Sequence, residues 1–392
     1  MRVLLAPDKF KGSLSALQVA RHLAAGLEVS SPEVEVILAP VADGGDGTLE
    51  ALTPYGFTAR TASVTGSLGT RRLASYGVRD SAAVIELAEA DGLRHLPPGQ
   101  LRPLQATSYG VGELIRSALD AGCRHLILGL GGSANTDGGA GMLQALGLRL
   151  LDAHGRELPP GGAHLCGLAS IDATGLDPRR AEAVIVIAGD VDNPLLGPTG
   201  AAAVYAPQKG ASPADVAILE SGLRRWAEIV CAATGQDLSN HPGAGAAGGV
   251  GFGALTFLHA TLRPGIELIL DLIHFDDLLT GVGLVVTGEG SLDEQSLNGK
   301  APVGVAAAAA RRGIPTVAVA GRSLLTAQQI SDAGFSAVYA LLDREPDLTI
   351  CLAQAGRLLE EVAAEITASM PRETTISTIH PDTTAAVQVI AP

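Results

Sequence analysis

Short apolar runs alternate with polar, glycine-rich loops and helical patterns along most of the chain. The run at residues 2–6 is followed by a polar loop at 7–13 and by a helical pattern to about residue 28, which Ser15 can cap. A second run at 34–39 leads through a loop at 40–48 to a short helix. Such strand–loop–helix units predict an α/β fold with a parallel sheet, where ligands bind outside the carboxyl ends of the strands.

The pattern changes in the middle of the chain and then returns. Strand-like runs at 57–64, 71–78 and 83–88 are joined by short turns, which is typical of an antiparallel meander. Further buried strands are predicted at 125–128, 184–188, 284–287, 316–320 and 337–341. The order of these patterns indicates that the two chain ends form one domain and that the middle is inserted between them.

We therefore predict one α/β domain from residues 1–55 and 275–370 and an inserted α/β domain from 56–274. Residues 371–392 are rich in threonine and proline, and this polar tail could be flexible or reach a neighbouring chain in a homo-oligomer. A second glycine-rich segment at 243–253 is a hinge or a flexible loop, and the sequence does not decide which.

Composition and charge exclude several classes of protein. The chain is 47% hydrophobic and only 3% aromatic, which predicts aliphatic, alanine-rich cores. A net charge of −14 without a basic patch argues against a nucleic-acid partner. No apolar run is long enough to span a membrane. The four cysteines lack metal-ligand spacing and predict reduced thiols in a cytoplasmic protein.

The most distinctive loop is GLGGSANTDGGAG at residues 129–141, between a predicted strand and a predicted helix. Glycines let backbone N–H groups approach an anion closely, and the helix that follows adds a positive dipole end. Asp137 is unusual in an anion site and suggests that a metal or a hydroxyl also binds. A single loop of this kind is more often a tight structural turn, but this chain has several.

Those loops carry carboxylates and lysines together with glycines. Phosphoryl transfer from a nucleotide needs this mixture, because lysines and amides hold phosphates, carboxylates hold Mg²⁺, and a carboxylate can accept the proton of the attacking hydroxyl. The Walker pattern is absent, since Gly299 and Lys300 are followed by Ala301. Residues 129–134 formally fit a dinucleotide fingerprint, but the predicted helix begins too late for that motif.

Five motifs in one order resemble the bacterial glycerate kinase family of the first type: APDKFKGSLSA (6–16), ADGGDGT (42–48), GLGGSANTDGGAGM (129–142), GDVDNPLLGPTGAA (189–202) and GEGSLDEQSLNGK (288–300). The resemblance covers roughly residues 1 to 370. It implies a flavodoxin-like domain built from both chain ends and an inserted domain of restriction-endonuclease-like topology. It also implies ATP-dependent, Mg²⁺-dependent phosphorylation of D-glycerate, with a leaning toward the 2-hydroxyl over the 3-hydroxyl.

The resemblance suggests roles for individual residues. We predict Asp190 as the general base, positioned by Asn193, with Asp8 as an alternative base or an orienting group. Lys9 and Lys11 would bind the glycerate carboxylate or the transferring phosphate. Glu289 and Asp293 would bind Mg²⁺. The predicted substrate and phosphate ligands are Asn193 itself and Asp43, Asp46, Gly131, Gly132, Ser133, Asn135, Asp137 and Lys300.

Each role has a plainer alternative, because Lys9 and Lys11 could be solvated surface groups and Asp43 and Asp46 could cap helices. Two other functions also stay open. The protein could phosphorylate another small hydroxy acid or sugar acid. It could also be a small-molecule sensor that kept the fold and lost the chemistry, although a sensor has no need of so many charged groups in one cleft.

Overall fold

A computed structural model describes residues 1–97, 99–297 and 299–369, so the predicted tail at 371–392 lies outside the described residues. The strands in chain order are β1 (Arg2–Pro7), β2 (Glu35–Leu38), β3 (Thr58–Thr65), β4 (Arg71–Arg79), β5 (Ala82–Glu86), β6 (His125–Gly129), β7 (Arg149–Leu151), β8 (Ser170–Asp172), β9 (Val184–Ala188), β10 (Thr261–Arg263), β11 (Val282–Leu292), β12 (Thr316–Ser323) and β13 (Phe335–Ala340).

The helices are α1 (Ala16–Ser30), α2 (Thr48–Leu52), α3 (Leu87–Asp91), α4 (Tyr109–Asp120), α5 (Ala140–Ala145), α6 (Ala201–Tyr205), α7 (Pro213–Thr234), α8 (Ala246–Phe257), α9 (Gly265–Leu272), α10 (Phe275–Leu278), α11 (Ala301–Ala310), α12 (Ala327–Asp332), α13 (Leu348–Ala353) and α14 (Ala355–Ser369). Ser15 caps α1 through a capping box with Gln18, as its position before the helical pattern predicts.

The first sheet joins the two ends of the chain. Its order is β13-β12-β11-β1-β2, and all neighbours in it are parallel. Numbered along the chain, these five strands run 2-1-3-4-5, the flavodoxin-like order. The predicted flavodoxin-like sheet is therefore confirmed. The order reverses between β1 and β11, and ligands of such sheets bind outside the carboxyl ends at this switch point.

Side chains of β1 alternate between two cores, one on each face of this sheet. Val3 and Leu5 pack with residues of α1 and α14, whereas Leu4 and Ala6 pack with residues of α9 and α11. Helices cover both faces, which explains why β1 is a continuous apolar run without polar alternation.

The second sheet has the order β10-β9-β6-β5-β4-β3. Its β3, β4 and β5 pair antiparallel, as the predicted meander requires, and β5, β6, β9 and β10 pair parallel. All six strands fall within residues 56–274. The exact domain boundaries and the comparison with the restriction-endonuclease fold stay predictions.

The glycine-rich segment at 243–253 forms the start of α8, with left-handed backbone at Ala247, Gly248 and Gly249. It packs against the loop at 129–141, where the Gly138 N–H donates to the Gly248 carbonyl at 3.0 Å. A Cβ atom at Gly248 would lie 2.2 Å from the Asn135 carbonyl oxygen, so the absence of a side chain permits this close packing. The segment is mostly buried, and this burial does not decide between the hinge and the flexible loop that the sequence left open.

Strand β11 is longer than the sequence pattern predicts. It continues through Glu289 to Leu292 because β12 remains paired with it as far as Leu292 and Ser323, whereas its pairing with β1 ends at Pro7 and Gly288. The strand therefore carries Glu289 past the end of β1. Within the described residues, no helix is long and apolar enough to cross a membrane.

Candidate active site

A cavity of about 800 Å³ opens at the carboxyl edge of the five-stranded sheet. One wall comes from the loops after β1, β2 and β11, and the other includes residues of α3 and of the loop at 129–141. Nine of the predicted site residues line it: Asp8, Lys9, Lys11, Asp43, Asp46, Gly132, Glu289, Asp293 and Lys300. Residues from distant parts of the chain thus meet at the switch point of the sheet.

Close backbone contacts hold these loops together. A Cβ atom at Gly129 would lie 2.0 Å from the Gly44 carbonyl oxygen, and one at Gly265 would lie 1.7 Å from the Asp43 carbonyl oxygen. No side chain fits in either place. Some of the glycines in these motifs are therefore required for loop packing, whether or not they touch a ligand.

The carboxylates of the cavity raise one another's proton affinity. Burial raises the pKa of Asp8 to about 7, and the negative charge of Asp43 adds to the rise. Burial also raises the pKa of Glu289, with Asp43 and Asp293 adding to it and Ser296 and Lys300 opposing it. The Glu289 Oε1 atom is buried and has no hydrogen-bond partner among the described residues.

Lysine is rare in this chain, which makes its placement informative. Three of the four lysines, Lys9, Lys11 and Lys300, line the cavity. Lys9 Nζ donates to the Asp46 backbone carbonyl and lies 3.9 Å from Asp46 Oδ2. Neither Lys11 nor Lys300 makes a hydrogen bond or an ion pair through its side chain with another described residue. In a protein of net charge −14, these cations make the cavity suited to an anion.

Two arginines join the lysines. Arg322 lies on β12 and lines the cavity, where its Nε donates to Ser291 Oγ at 3.0 Å. Arg94 also lines the cavity and pairs with Asp46 and Glu89. Sequence reasoning missed Arg94, because its loop belongs to the inserted segment and nothing local links it to Asp46.

Asp190 and Asn193 lie outside this cavity. Asp190 lines a neighbouring groove with Glu267 and Gly299, and its Oδ1 accepts the Gly265 N–H at 3.0 Å. Asp190 as a whole residue is exposed, whereas its carboxyl group is partly buried. This burial raises the pKa of Asp190 to about 6, and the negative charge of Asp43 raises it further. Asn193 bonds instead to the Thr199 carbonyl and the Tyr205 hydroxyl, so its contacts give no support for positioning Asp190.

Ser133, Asn135 and Asp137 belong to the loop at 129–141, and all three are buried. Asp137 is fully buried and accepts hydrogen bonds from Ser108 Oγ at 2.9 Å, the Ser108 N–H at 2.8 Å and the Gly139 N–H at 3.0 Å. Gly131 is exposed, and a Cβ atom there would lie 3.2 Å from the Gly45 Cα. These placements support the structural-turn interpretation of the loop for Asn135 and Asp137, and their predicted substrate contacts stay untested predictions.

The fourth lysine, Lys209, is part of this buried layer. Its Nζ donates to Ser133 Oγ at 2.8 Å and to the Asn135 carbonyl, and Asp91 and Asp137 are its nearby countercharges. Burial lowers the pKa of Lys209 and raises that of Asp91. Sequence reasoning gave Lys209 no role, although the scarcity of lysine was a signal available in the sequence.

Replacing Asp137 by alanine is expected to lower the free energy of unfolding by about 3 kcal/mol, because several buried donors lose their shared acceptor. Chemical denaturation without ligands measures this. Asp152→Ala is the matched control, since Asp152 bonds the His154 and Arg156 N–H groups in an exposed turn, and we expect a loss below about 1 kcal/mol there. Wild-type stability of Asp137→Ala together with lost glycerate binding would instead make Asp137 a substrate ligand.

The described residues contain no group of three or more His, Cys, Asp or Glu side chains placed to hold a metal ion. The two residues predicted as metal ligands, Glu289 and Asp293, both line the cavity. Mg²⁺ is commonly held by one or two carboxylates together with substrate phosphates, so this pair can be tested as a magnesium site.

Comparisons with known proteins identify the family of this chain. A sequence model of the glycerate kinase family matches residues 3–371. A glycerate kinase of Bacillus subtilis (strain 168) is 42% identical over 94% of this chain and 98% of its own length. A glycerate 2-kinase of Escherichia coli (strain K12) is 43% identical over 87% of this chain and 91% of its own.

A crystal structure supports the fold independently. The chain assigned as glycerate kinase 2 from Salmonella typhimurium LT2 superposes with a TM-score of 0.82 at 43% identity, covering 94% of this chain and 98% of that one. The family match and the full-length relatives agree with the five motifs and with the flavodoxin-like sheet. The chain belongs to the glycerate kinase family.

Proposed function

We propose that the protein transfers the γ-phosphoryl group of ATP to D-glycerate and produces 2-phosphoglycerate. The observation that carries this proposal is a single cavity in which Lys11, Lys300 and Arg322 are available to an anion while Asp8 and Glu289 are buried carboxylates. A phosphoryl-transfer site needs both sets of groups within reach of one another. The 2-hydroxyl as acceptor is supported by the similarity to the relative named glycerate 2-kinase.

The cations of the cavity suggest where each substrate binds. Lys300 is the residue immediately before α11, where the helix dipole also favours a phosphate. Lys11 and Arg322 extend the positive region along the same edge of the sheet. Lys9, whose Nζ atom is held by Asp46 in the same cavity, is assigned to the glycerate carboxylate.

Asp8 is the general base in this proposal, in place of the sequence-based choice of Asp190. Asp8 lines the same cavity as the lysines, whereas Asp190 lines the neighbouring groove. The carboxylate of Asp8 accepts the proton of the 2-hydroxyl as that oxygen forms its bond to the γ-phosphorus and the bond to ADP breaks. Its pKa near 7 suits a base that works at neutral pH.

The donors in the cavity fit Mg²⁺. The buried, unpartnered Oε1 atom of Glu289 is an oxygen ligand of the kind this ion prefers, and Asp293 lies on the same lining. When bound, Mg²⁺ neutralises charge on the phosphates of ATP. Glu289 would hold it, Asp293 would assist, and Lys300 would remain free to hold a phosphate oxygen.

The first experiment is ADP release with purified protein, ATP, Mg²⁺ and D-glycerate, followed by phosphorus NMR of the product. We expect turnover and a phosphorus coupling pattern that identifies 2-phosphoglycerate. A 3-phosphoglycerate signal would correct the acceptor hydroxyl. Turnover only with another hydroxy acid would change the substrate and keep the mechanism, and ligand binding without any turnover would favour the sensor.

Two further expectations belong with this proposal. We propose a cytoplasmic location, where ATP and reduced thiols are both available. A homo-oligomer stays a proposal, which size-exclusion chromatography with light scattering tests directly.

A further inference from the structure

The cavity has an apolar end that the transfer chemistry does not use. Leu341 and Leu342 follow β13, and Leu348 and Leu352 come from α13; all four line the cavity. We propose that this end binds the nucleoside of the phosphoryl donor, with its flat base against the leucines. This inference rests on the proposed kinase function and adds where the nucleotide lies.

The strand order sets the direction of the bound nucleotide. Along the carboxyl edge, Asp8 follows β1, Glu289 lies on β11, Arg322 on β12, and the leucine pair follows β13. Neighbouring strands are about 4.8 Å apart, so the leucines lie roughly 10 Å from the strand of Glu289. A ligand that fills both ends must be anionic at one end and apolar at the other, as a nucleoside triphosphate is, whereas glycerate is too small and too polar.

The leucines of α13 are large, apolar and open to solvent. Leu348 is 59% exposed and Leu352 is 40% exposed, and their spacing places both on one face of the helix. They contribute little to the core, yet they offer apolar area that a stacked base would remove from water. Ile350 on the same helix is 41% exposed but does not line the cavity.

Arg322 connects the apolar end to the transfer site. Its Nε donates to Ser291 Oγ at 3.0 Å, and its two terminal nitrogens have no hydrogen bond to another described residue. The guanidinium therefore stands on β12, between the leucines and Glu289, where the phosphates next to the ribose would lie. Ser13 Oγ donates to the Leu352 carbonyl at 2.9 Å and ties the loop of Lys11 to α13.

The test compares Leu348→Gln and Leu352→Gln with the matched control Ile350→Gln. We expect each leucine variant to raise the KM for ATP about tenfold with little change in kcat, since lost contact with the base weakens substrate and transition state alike. The control should change the KM less than about twofold. Inhibition by inorganic tripolyphosphate, which has no nucleoside, should be the same in all four proteins.

A KM for ATP that changes no more in the leucine variants than in Ile350→Gln would overturn the proposal. Fluorescence titration with an N-methylanthraniloyl derivative of ATP tests it without turnover. Tight binding to the wild type and weakened binding to the leucine variants supports the nucleoside site even where glycerate is not phosphorylated, so the kinase proposal can fail alone. Binding of equal strength in all four proteins places the nucleoside elsewhere, and no binding to any of them overturns both.

Discussion

Replacing Asp8 by asparagine is expected to lower kcat with glycerate about 1000-fold and to leave the KM for ATP nearly unchanged. Asp8 is the buried carboxylate at the end of β1, and its pKa near 7 is that of an effective base at neutral pH. Asparagine keeps the shape and can still accept the Lys9 N–H, which bonds Asp8 Oδ1 at 2.6 Å. Steady-state rates at saturating ATP and glycerate measure the loss.

Asp190→Asn is the matched control, because Asp190 also follows a strand and also has a raised pKa. Asp190 lies in the neighbouring groove, so we expect its variant to lose no more than about tenfold in kcat. A larger loss in Asp190→Asn than in Asp8→Asn would return the role of base to Asp190, as the sequence alone suggested.

The pH dependence gives an independent test of the same residue. In the proposed mechanism Asp8 acts as the carboxylate, so protonation below its pKa would remove the base and activity should fall as the pH is lowered. We expect kcat/KM for glycerate at saturating ATP to decline below about pH 7 in the wild type. A profile that breaks only near pH 6 would match the pKa of Asp190 instead.

The sheet built from both chain ends was predictable because β1 and the strands near the C-terminus are continuous apolar runs, each ending in a polar loop. Parallel strands align their carboxyl ends, and this alone brings Asp8, Asp43 and Lys300 to one edge. The extension of β11 through Glu289 was not predictable, because its glycines and polar residues resemble a loop. Pairing with β12 decides that extension, and pairing is a long-range property.

Local sequence also cannot say which carboxylate of a glycine loop faces a ligand. Asp46 and Asp137 both stand beside glycines, yet Asp46 lines the cavity and Asp137 is buried against Ser108. The difference lies in tertiary packing behind the loop, which no motif records. The scarcity of lysine is a better guide to the site than the glycine loops are. The chain has only four lysines, and three of them line the cavity.

Replacing Glu289 by glutamine is expected to raise the Mg²⁺ concentration for half-maximal activity about 100-fold, as losing a charged ligand should. Mg²⁺ needs the ionised carboxylate, and burial raises the pKa of Glu289, so the affinity of the wild type should also fall as the pH is lowered. Titration with MgCl₂ at fixed ATP measures the shift. Electron paramagnetic resonance of Mn²⁺ with ADP measures binding without turnover.

Asp293→Asn separates the two predicted ligands. Asp293 Oδ1 already accepts the Gln295 N–H at 2.9 Å, so we expect its variant to shift the Mg²⁺ requirement less than about tenfold. Equal shifts of the Mg²⁺ requirement in the two variants would indicate that Glu289 and Asp293 both bind Mg²⁺. No shift in either variant would exclude both residues as Mg²⁺ ligands. A buried oxygen without a partner costs a folded protein about 1–3 kcal/mol, and a cation bound at Glu289 Oε1 would remove that cost. This is why the metal prediction is tested first at Glu289, whose Oε1 atom is buried at the cavity and has no partner among the described residues.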